Sequence, residues 1–141
     1  MSDNSLNPPS LRKDRARLAI LFRRRKGMSY EDFAHHWMNQ HAKVFMGTVV
    51  HRHILRYEQM YTSASTAKDW NALLGMPVVQ YDGIALLEAD SFEDIKKVFT
   101  SDEYKSTLFP DELNFVDREG IQFIPLNYWV AFDRTRDESR L

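Results

Sequence analysis

The 141-residue chain is 43% apolar and 13% aromatic, enough for one well-packed domain and too short for two ordinary ones. Nineteen Lys and Arg against twenty Asp and Glu leave no global field of the kind that marks a nucleic-acid or anionic-membrane binder. The absence of cysteine excludes disulfides, thiolate metal ligands and a cysteine nucleophile.

Residues 1–15 begin "MSDNSLNPPS", carry two prolines and lack an apolar leader-like stretch, so the expectation is a flexible arm on a soluble, cytoplasmic protein. No apolar run approaches the roughly 20 residues needed to cross a bilayer, and no membrane contact is expected. The domain itself is expected over 16–133, with 134–141 as a polar, flexible tail. Its first element is a strand over 17–25, where "RLAILF" gives the apolar run and the flanking arginines read as solvated ends.

"KGMS" then breaks the strand, and Ser29 is placed to cap a helix running to Gly47, with Asp32 three residues on in a capping-box-like position. Two further strands follow, "HRHILRYEQMYT" at 51–62 and "YDGIALLEAD" at 81–90, both rich in β-branched or aromatic residues with period-two alternation. The 63–80 stretch between them, carrying Trp70, Leu73, Leu74 and Met76, reads as a long connection suited to be a wall or lid.

"SFEDIKKVF" repeats the grammar of "SYEDFAHHW", with Ser91 and Asp94 standing where Ser29 and Asp32 stood. "LFPDELNFVD" at 108–117 restarts a helix, with Pro110 near its first turn, and "IQFIPLNYWVAF" at 121–132 supplies the last strand. The resulting order is βαββαβ: an α+β, ferredoxin-like fold with a four-stranded antiparallel sheet and helices on one face. The other face would be bare, and a homodimer packed sheet to sheet is the economical way to cover it.

The segment "HHWMNQHAKV" at 35–44 puts three histidines in ten residues. At about 100° per residue from Phe33, Trp37, His41, Ala34, Phe45, Val44 and Met38 fall on one apolar arc, while His35 and His36 fall outside it. The spacings are not the i, i+4 of a helical metal pair, so no metal or other cofactor is expected there. His41 is then either a buried structural histidine or, if a cavity adjoins it, an acid/base group with a burial-shifted pKa. On the second strand His51, His53, Leu55, Tyr57, Gln59 and Tyr61 share one face by alternation, either a wet or dimer-facing surface or a pocket wall for an oxygenated aromatic ligand. Asp82, beside Tyr81 at the start of the third strand, reads first as a turn or ion-pair residue.

Gly27, Met28, Ser29, Phe33, Trp37, His41 and Ala42, followed by "RYEQMY", resemble the EthD-type branch of the dimeric α+β barrels across about 17–133. The nearest likeness within that branch is to small fungal enzymes of aromatic polyketide pathways, decarboxylases or dehydratases; relatives include polyketide cyclases and cofactor-free, quinone-forming monooxygenases. Ligands in such proteins sit between helices and sheet, which implies that the arc around His41 borders a cavity.

The expectation that follows is a cofactor-independent lyase acting on an oxygenated aromatic polyketide intermediate. His41 would transfer the proton, Tyr57, Gln59 and Tyr61 would meet substrate oxygens, and His53 and Asp82 are candidates for a second acid/base. Phe33, Trp37, Phe45 and the Trp70 loop would form aromatic walls. The alternatives are a cyclase or anthrone-type monooxygenase in the same pocket, and a non-enzymatic dimeric binding protein.

Overall fold

The computed structural model describes residues 11–78 and 80–135. Four strands, β1 (Ala16–Arg24), β2 (Arg56–Tyr61), β3 (Gly83–Ala89) and β4 (Val116–Leu126), form one antiparallel sheet in the order β2-β3-β1-β4. Helix α1 (residues 30–46) crosses from β1 to β2 and helix α3 (Phe92–Phe99) follows β3, which is the expected split βαβ topology. The outer parts of the expected arm and tail, residues 1–10 and 136–141, lie outside the described residues.

Both expected caps are present. Ser29 Oγ accepts from the Asp32 amide at 3.0 Å, and Ser91 Oγ accepts from the Asp94 amide at 3.2 Å. Each satisfies one of the orphan N–H groups of a first turn and contributes about 1 kcal/mol. The apolar period then decides which face packs: Ala16, Leu18 and Phe22 of β1 and Ala85, Leu87 and Ala89 of β3 point to the helices and are buried.

Three boundaries differ from the sequence-based expectation. His51 and His53 do not lie on β2; they belong to a 3₁₀ turn, Val50–His53, because Glu103 accepts from the Val49 and Val50 amides and winds the chain there instead of extending it. Tyr57, Gln59 and Tyr61 therefore share a strand face without either histidine. Residues 63–80 are not simply a loop, since Ser63 caps a helix α2 (Ala64–Leu74) that Gly75 ends in the left-handed conformation at φ 64°. The last strand begins at Val116 rather than 121, and the chain leaves the sheet after Leu126.

Helix α1 is not α-helical throughout. His36–His41 is a π turn, in which the Ala42 amide reaches back five residues to the Trp37 carbonyl. The last helix, α4 (residues 104–112), opens on a similar turn, Tyr104–Leu108, where the Phe109 amide bonds the Tyr104 carbonyl. No helix among the described residues is long and apolar enough to cross a membrane.

Candidate functional site

The inner layer of the sheet does not seal against the helices. An apolar cavity of about 70 Å³ lies between them, its body formed by Phe22, Trp37, Phe45, Phe99, Phe115 and Phe123 and its polar groups by His41, Tyr57, Tyr104, Glu112 and Arg118. At roughly 10–15 Å³ per water on this measure it holds several waters, the room of a planar ring rather than of one solvent molecule.

Trp37 is positioned first. Its indole is buried against Phe22 at 4.8 Å and 75° and against Phe33 at 5.7 Å, an edge-to-face aromatic cluster that also includes Phe115. Gly83 makes room for it, since a Cβ there would stand 2.6 Å from Trp37 Cζ3. The indole N–H donates to the Tyr57 hydroxyl at 2.8 Å, so the buried donor is satisfied.

Gln59 then fixes the direction of the remaining bonds. Its amide nitrogen donates to the Trp37 carbonyl at 2.9 Å and to the Tyr57 hydroxyl at 3.1 Å, and its carbonyl accepts from the Tyr61 hydroxyl at 2.5 Å. Tyr57 oxygen thus accepts two hydrogen bonds, which leaves its own O–H as a donor to whatever enters the cavity. Burial pushes the Tyr57 phenol up to about 12, partly offset by the bonds from Gln59 and Trp37. It is a proton-bearing donor at neutral pH and not a base.

At the same cavity His41 Nδ1 lies 2.7 Å from Asp111 Oδ2, while His36 Nε2 lies 3.1 Å from Asp111 Oδ1. Burial pulls the His41 pKa below its ordinary 6.5 and outweighs the bond and charge of Asp111 that raise it. Burial of Asp111 opposes ionisation, but the His41 bond and the two imidazoles prevail and hold its carboxyl below the usual value. The resting pair is therefore carboxylate and neutral imidazole. An ionised carboxylate can only accept, so Nδ1 carries the hydrogen and Nε2 the lone pair.

Nε2 takes no hydrogen bond among the described residues, where no fully buried side-chain nitrogen or oxygen lacks a partner. It is consequently within reach of water or ligand, on a residue that lines the cavity. The buried arc differs from the expected one at its edges: Met38, expected on the apolar arc, is exposed, and His36, expected outside it, stacks on Phe115 at 4.9 Å, while Trp37, His41 and Phe45 are buried.

Of the sequence-derived candidates, His41, Tyr57, Trp37 and Phe45 line the cavity together. Gln59 and Tyr61 stand behind it and orient Tyr57. Phe33 is wholly buried in the aromatic cluster behind Trp37 and forms no wall. Three candidates are elsewhere. His53 sits on the 3₁₀ turn, Trp70 is 53% exposed on α2, and Asp82 is engaged by the Arg24 amide at 2.8 Å and its guanidinium at 2.9 Å beside a separate basic groove. The early ion-pair reading of Asp82 is the one that its surroundings support.

Sequence reasoning missed Asp111, Glu112, Tyr104 and Arg118. In "FPDEL" the two carboxylates look like ordinary first-turn acids. Only tertiary structure shows that they diverge, Asp111 to His41 and Glu112 to Tyr104 at 3.0 Å and to Arg118.

Comparison with known proteins gives a consistent frame. The EthD domain model matches residues 25–119. Decarboxylase claH of Passalora fulva is 28% identical over 108 residues, covering 74% of this chain and 70% of its own. Among solved structures, an EthD family protein from Bacillus halodurans superposes with TM-score 0.56 at 13% identity, covering 82% of this chain and 99% of that one. A dimeric protein of ferredoxin-like fold from Bacteroides fragilis does so with TM-score 0.56 at 12% identity, covering 84% and 100%. At these identities the solved structures speak for the fold alone.

Proposed function

The chain belongs to the EthD domain family, and from that premise we propose that it is a cofactor-independent lyase, decarboxylating an oxygenated aromatic polyketide-type acid. One observation carries the reading: an imidazole held by a carboxylate at Nδ1, with Nε2 unengaged by any described residue, and a Tyr57 hydroxyl that already accepts two hydrogen bonds line the same apolar cavity. The likeness to a protein named a decarboxylase supports the choice of bond.

A phenol beside a carboxylate supplies its own electron sink, so the protein has only protons to manage. His41 Nε2 takes the phenolic proton and becomes an imidazolium that Asp111 stabilises. The proton is returned to the ring carbon that bears the carboxylate. The carbon–carboxylate bond then breaks, carbon dioxide leaves, and the bonding pair restores the aromatic ring as a phenolate that is reprotonated from solvent. Tyr57 donates to the oxygen whose charge rises and falls through these steps, in a site from which an aromatic substrate displaces water.

His41→Ala tests the assignment: turnover of the cognate acid should fall by about 10²-fold or more with the circular dichroism spectrum unchanged. A folded, fully active variant would remove His41 from the chemistry. Release of carbon dioxide under argon at the aerobic rate separates this lyase from an oxygenase on the same pocket.

We also infer that a second copy covers the outer face of the sheet. Ala19, Leu21, Ile84, Leu86, Met60 and Ile124 share that face by register, and the charged Arg17 and Glu88 stand at its end. An apolar centre with a charged margin is what an isologous sheet-to-sheet contact requires. Mass by light scattering checks it, and a dilute, monomeric wild-type protein would count against it.

A further inference from the structure

Arg118 is the cation of the cavity, and its hydrogen bonding is lopsided. Both of its protein bonds leave from Nη1, one to Glu112 Oε2 and one to the Tyr104 hydroxyl at 3.3 Å. Nε and Nη2 are given to no acceptor among the described residues, and the guanidinium carbon lies 4.6 Å from the centre of the Phe109 ring. The planar group is thus held in place on one edge while its other edge is unspent. It reaches the cavity because β4 bulges: Leu21 pairs with Gln122 but Arg23 pairs with Asp117, and Gly120 turns the extra residues at φ 76°.

The partner carboxylate is equally lopsided. Glu112 takes both of its bonds on Oε2, and Oε1 has no donor among the described residues. The side chain of Glu112 is 17% exposed against 36% for Arg118, so the carboxyl lies deeper than the cation that serves it.

We propose, resting on the lyase reading of this cavity, that Arg118 is the receptor for the substrate's carboxylate and that Glu112 takes up a proton as that carboxylate arrives. A carboxylate matches the free edge of a guanidinium in the two-pronged geometry that arginine favours. Its ring then lies among Phe99, Phe115 and Phe123, which line the same cavity, with its oxygens toward Tyr57 and His41. Two carboxylates cannot both stay ionised on one cation in an apolar site. Glu112 is the one that yields, since burial already raises its pKa against the pull of Arg118 and Tyr104, with the charge of Asp111 adding to the rise. Tyr57 and His41, which line the cavity with Glu112, are neutral at pH 7, the phenol because burial raises its pKa and the imidazole because burial lowers it. The cavity thereby selects aromatic acids over the matching neutral amides, and it loads one proton per carboxylate bound, the stoichiometry that decarboxylation consumes.

Calorimetric titration with 2-naphthoate and 2-naphthamide tests this without turnover, because neither probe carries the phenol on which His41 would act. The wild-type protein should bind the acid at least about tenfold more tightly than the amide. Repeating the titration at pH 7 in two buffers of different ionisation enthalpy should reveal uptake of up to about one proton with the acid and none with the amide. Arg118→Met should lose the preference while still binding the amide, which shows the cavity intact. Glu112→Gln should keep the preference and lose the proton uptake. Equal affinities in the wild type, no binding of the acid, or a preference that survives Arg118→Met would overturn the receptor assignment, and uptake that persists in Glu112→Gln would overturn the role of Glu112. His41→Ala should retain the preference for the acid, so failure of the lyase chemistry and failure of this proposal are read from different variants.

Discussion

Asp111 Oδ2 stands 2.7 Å from His41 Nδ1 across 70 residues of sequence, and that single bond decides which nitrogen of the imidazole can do chemistry. Asp111 does not line the cavity itself; it would position His41 and balance the charge that His41 acquires. Asp111→Asn should lower kcat by about 10²-fold or more with little change in KM, because an amide no longer enforces the Nδ1–H tautomer. Asp111→Glu should recover part of the rate, and a variant with unchanged kcat would make the bond structural only.

Tyr57→Phe removes the donor aimed at the developing oxyanion. A loss of roughly 10²-fold in kcat is expected from one such donor. It also leaves the buried Trp37 N–H without its acceptor, at a cost of about 1–3 kcal/mol, which a urea unfolding midpoint will show. If kcat is unaffected while stability falls, Tyr57 serves Trp37 and not the substrate.

The pH profile follows from the two burial shifts. His41 must be neutral to act as a base, so activity should hold at neutral pH and fall on the acid side through a pKa below 6.5. For stability, the unfolded chain binds the His41 proton more readily than the folded one, so this contribution is complete above about 6.5 and is lost as pH falls through the folded value. Glu112 acts in the reverse sense: raised above 4.5 in the fold, it stabilises fully below 4.5 and loses that contribution as pH rises through its folded value. Denaturant midpoints between pH 5 and 7.5 should therefore fall toward acid less steeply in His41→Gln than in the wild type.

Gly83→Ala would drive a methyl group into the Trp37 ring, with Phe22 Cζ 3.2 Å away on the other side. Overpacking of this kind costs about 1–3 kcal/mol. Because Trp37 holds Tyr57, the substitution should also reduce turnover from a strand position outside the cavity. Unchanged stability and rate would mean that the indole has room to yield.

Asp82→Asn is the counter-case. Asp82 closes the end of β1 through Arg24 and faces a groove of arginines and lysines remote from His41 in its contacts. Its replacement should leave kcat unchanged, and a tenfold loss would restore it as an acid/base candidate.

The helices and strands were legible because their signals are local: Ser29 and Ser91 with their aspartates, the alternation of β3, the apolar run of β1. His41 was separable from His35 by angle alone. The failures have a common physical origin. His51 and His53 alternate correctly for a strand, but Glu103, 54 residues on from Val49, captures the Val49 and Val50 amides and makes them a turn. Asp111 and Glu112 are adjacent and identical in charge, and only the packing of α4 against α1 sends one to an imidazole and the other to a guanidinium. The capping signal of Ser63 and the stop at Gly75 were present, yet α2 buries no residue, so it lacks the one-sided apolar stripe by which a helix announces itself.

The five-residue turn at His36–His41 gives α1 one more residue than an uninterrupted helix would need between the same ends. The aim of the imidazole is therefore a matter of chain length as well as of side-chain identity. Removing a single residue from this turn, other than one that lines the cavity, would let the helix close in ordinary register between the same ends and change the aim of the side chains within the turn, His41 among them. A one-residue deletion that keeps every residue of the candidate site would thus undo the placement of His41, and an insertion at the same place would restore it.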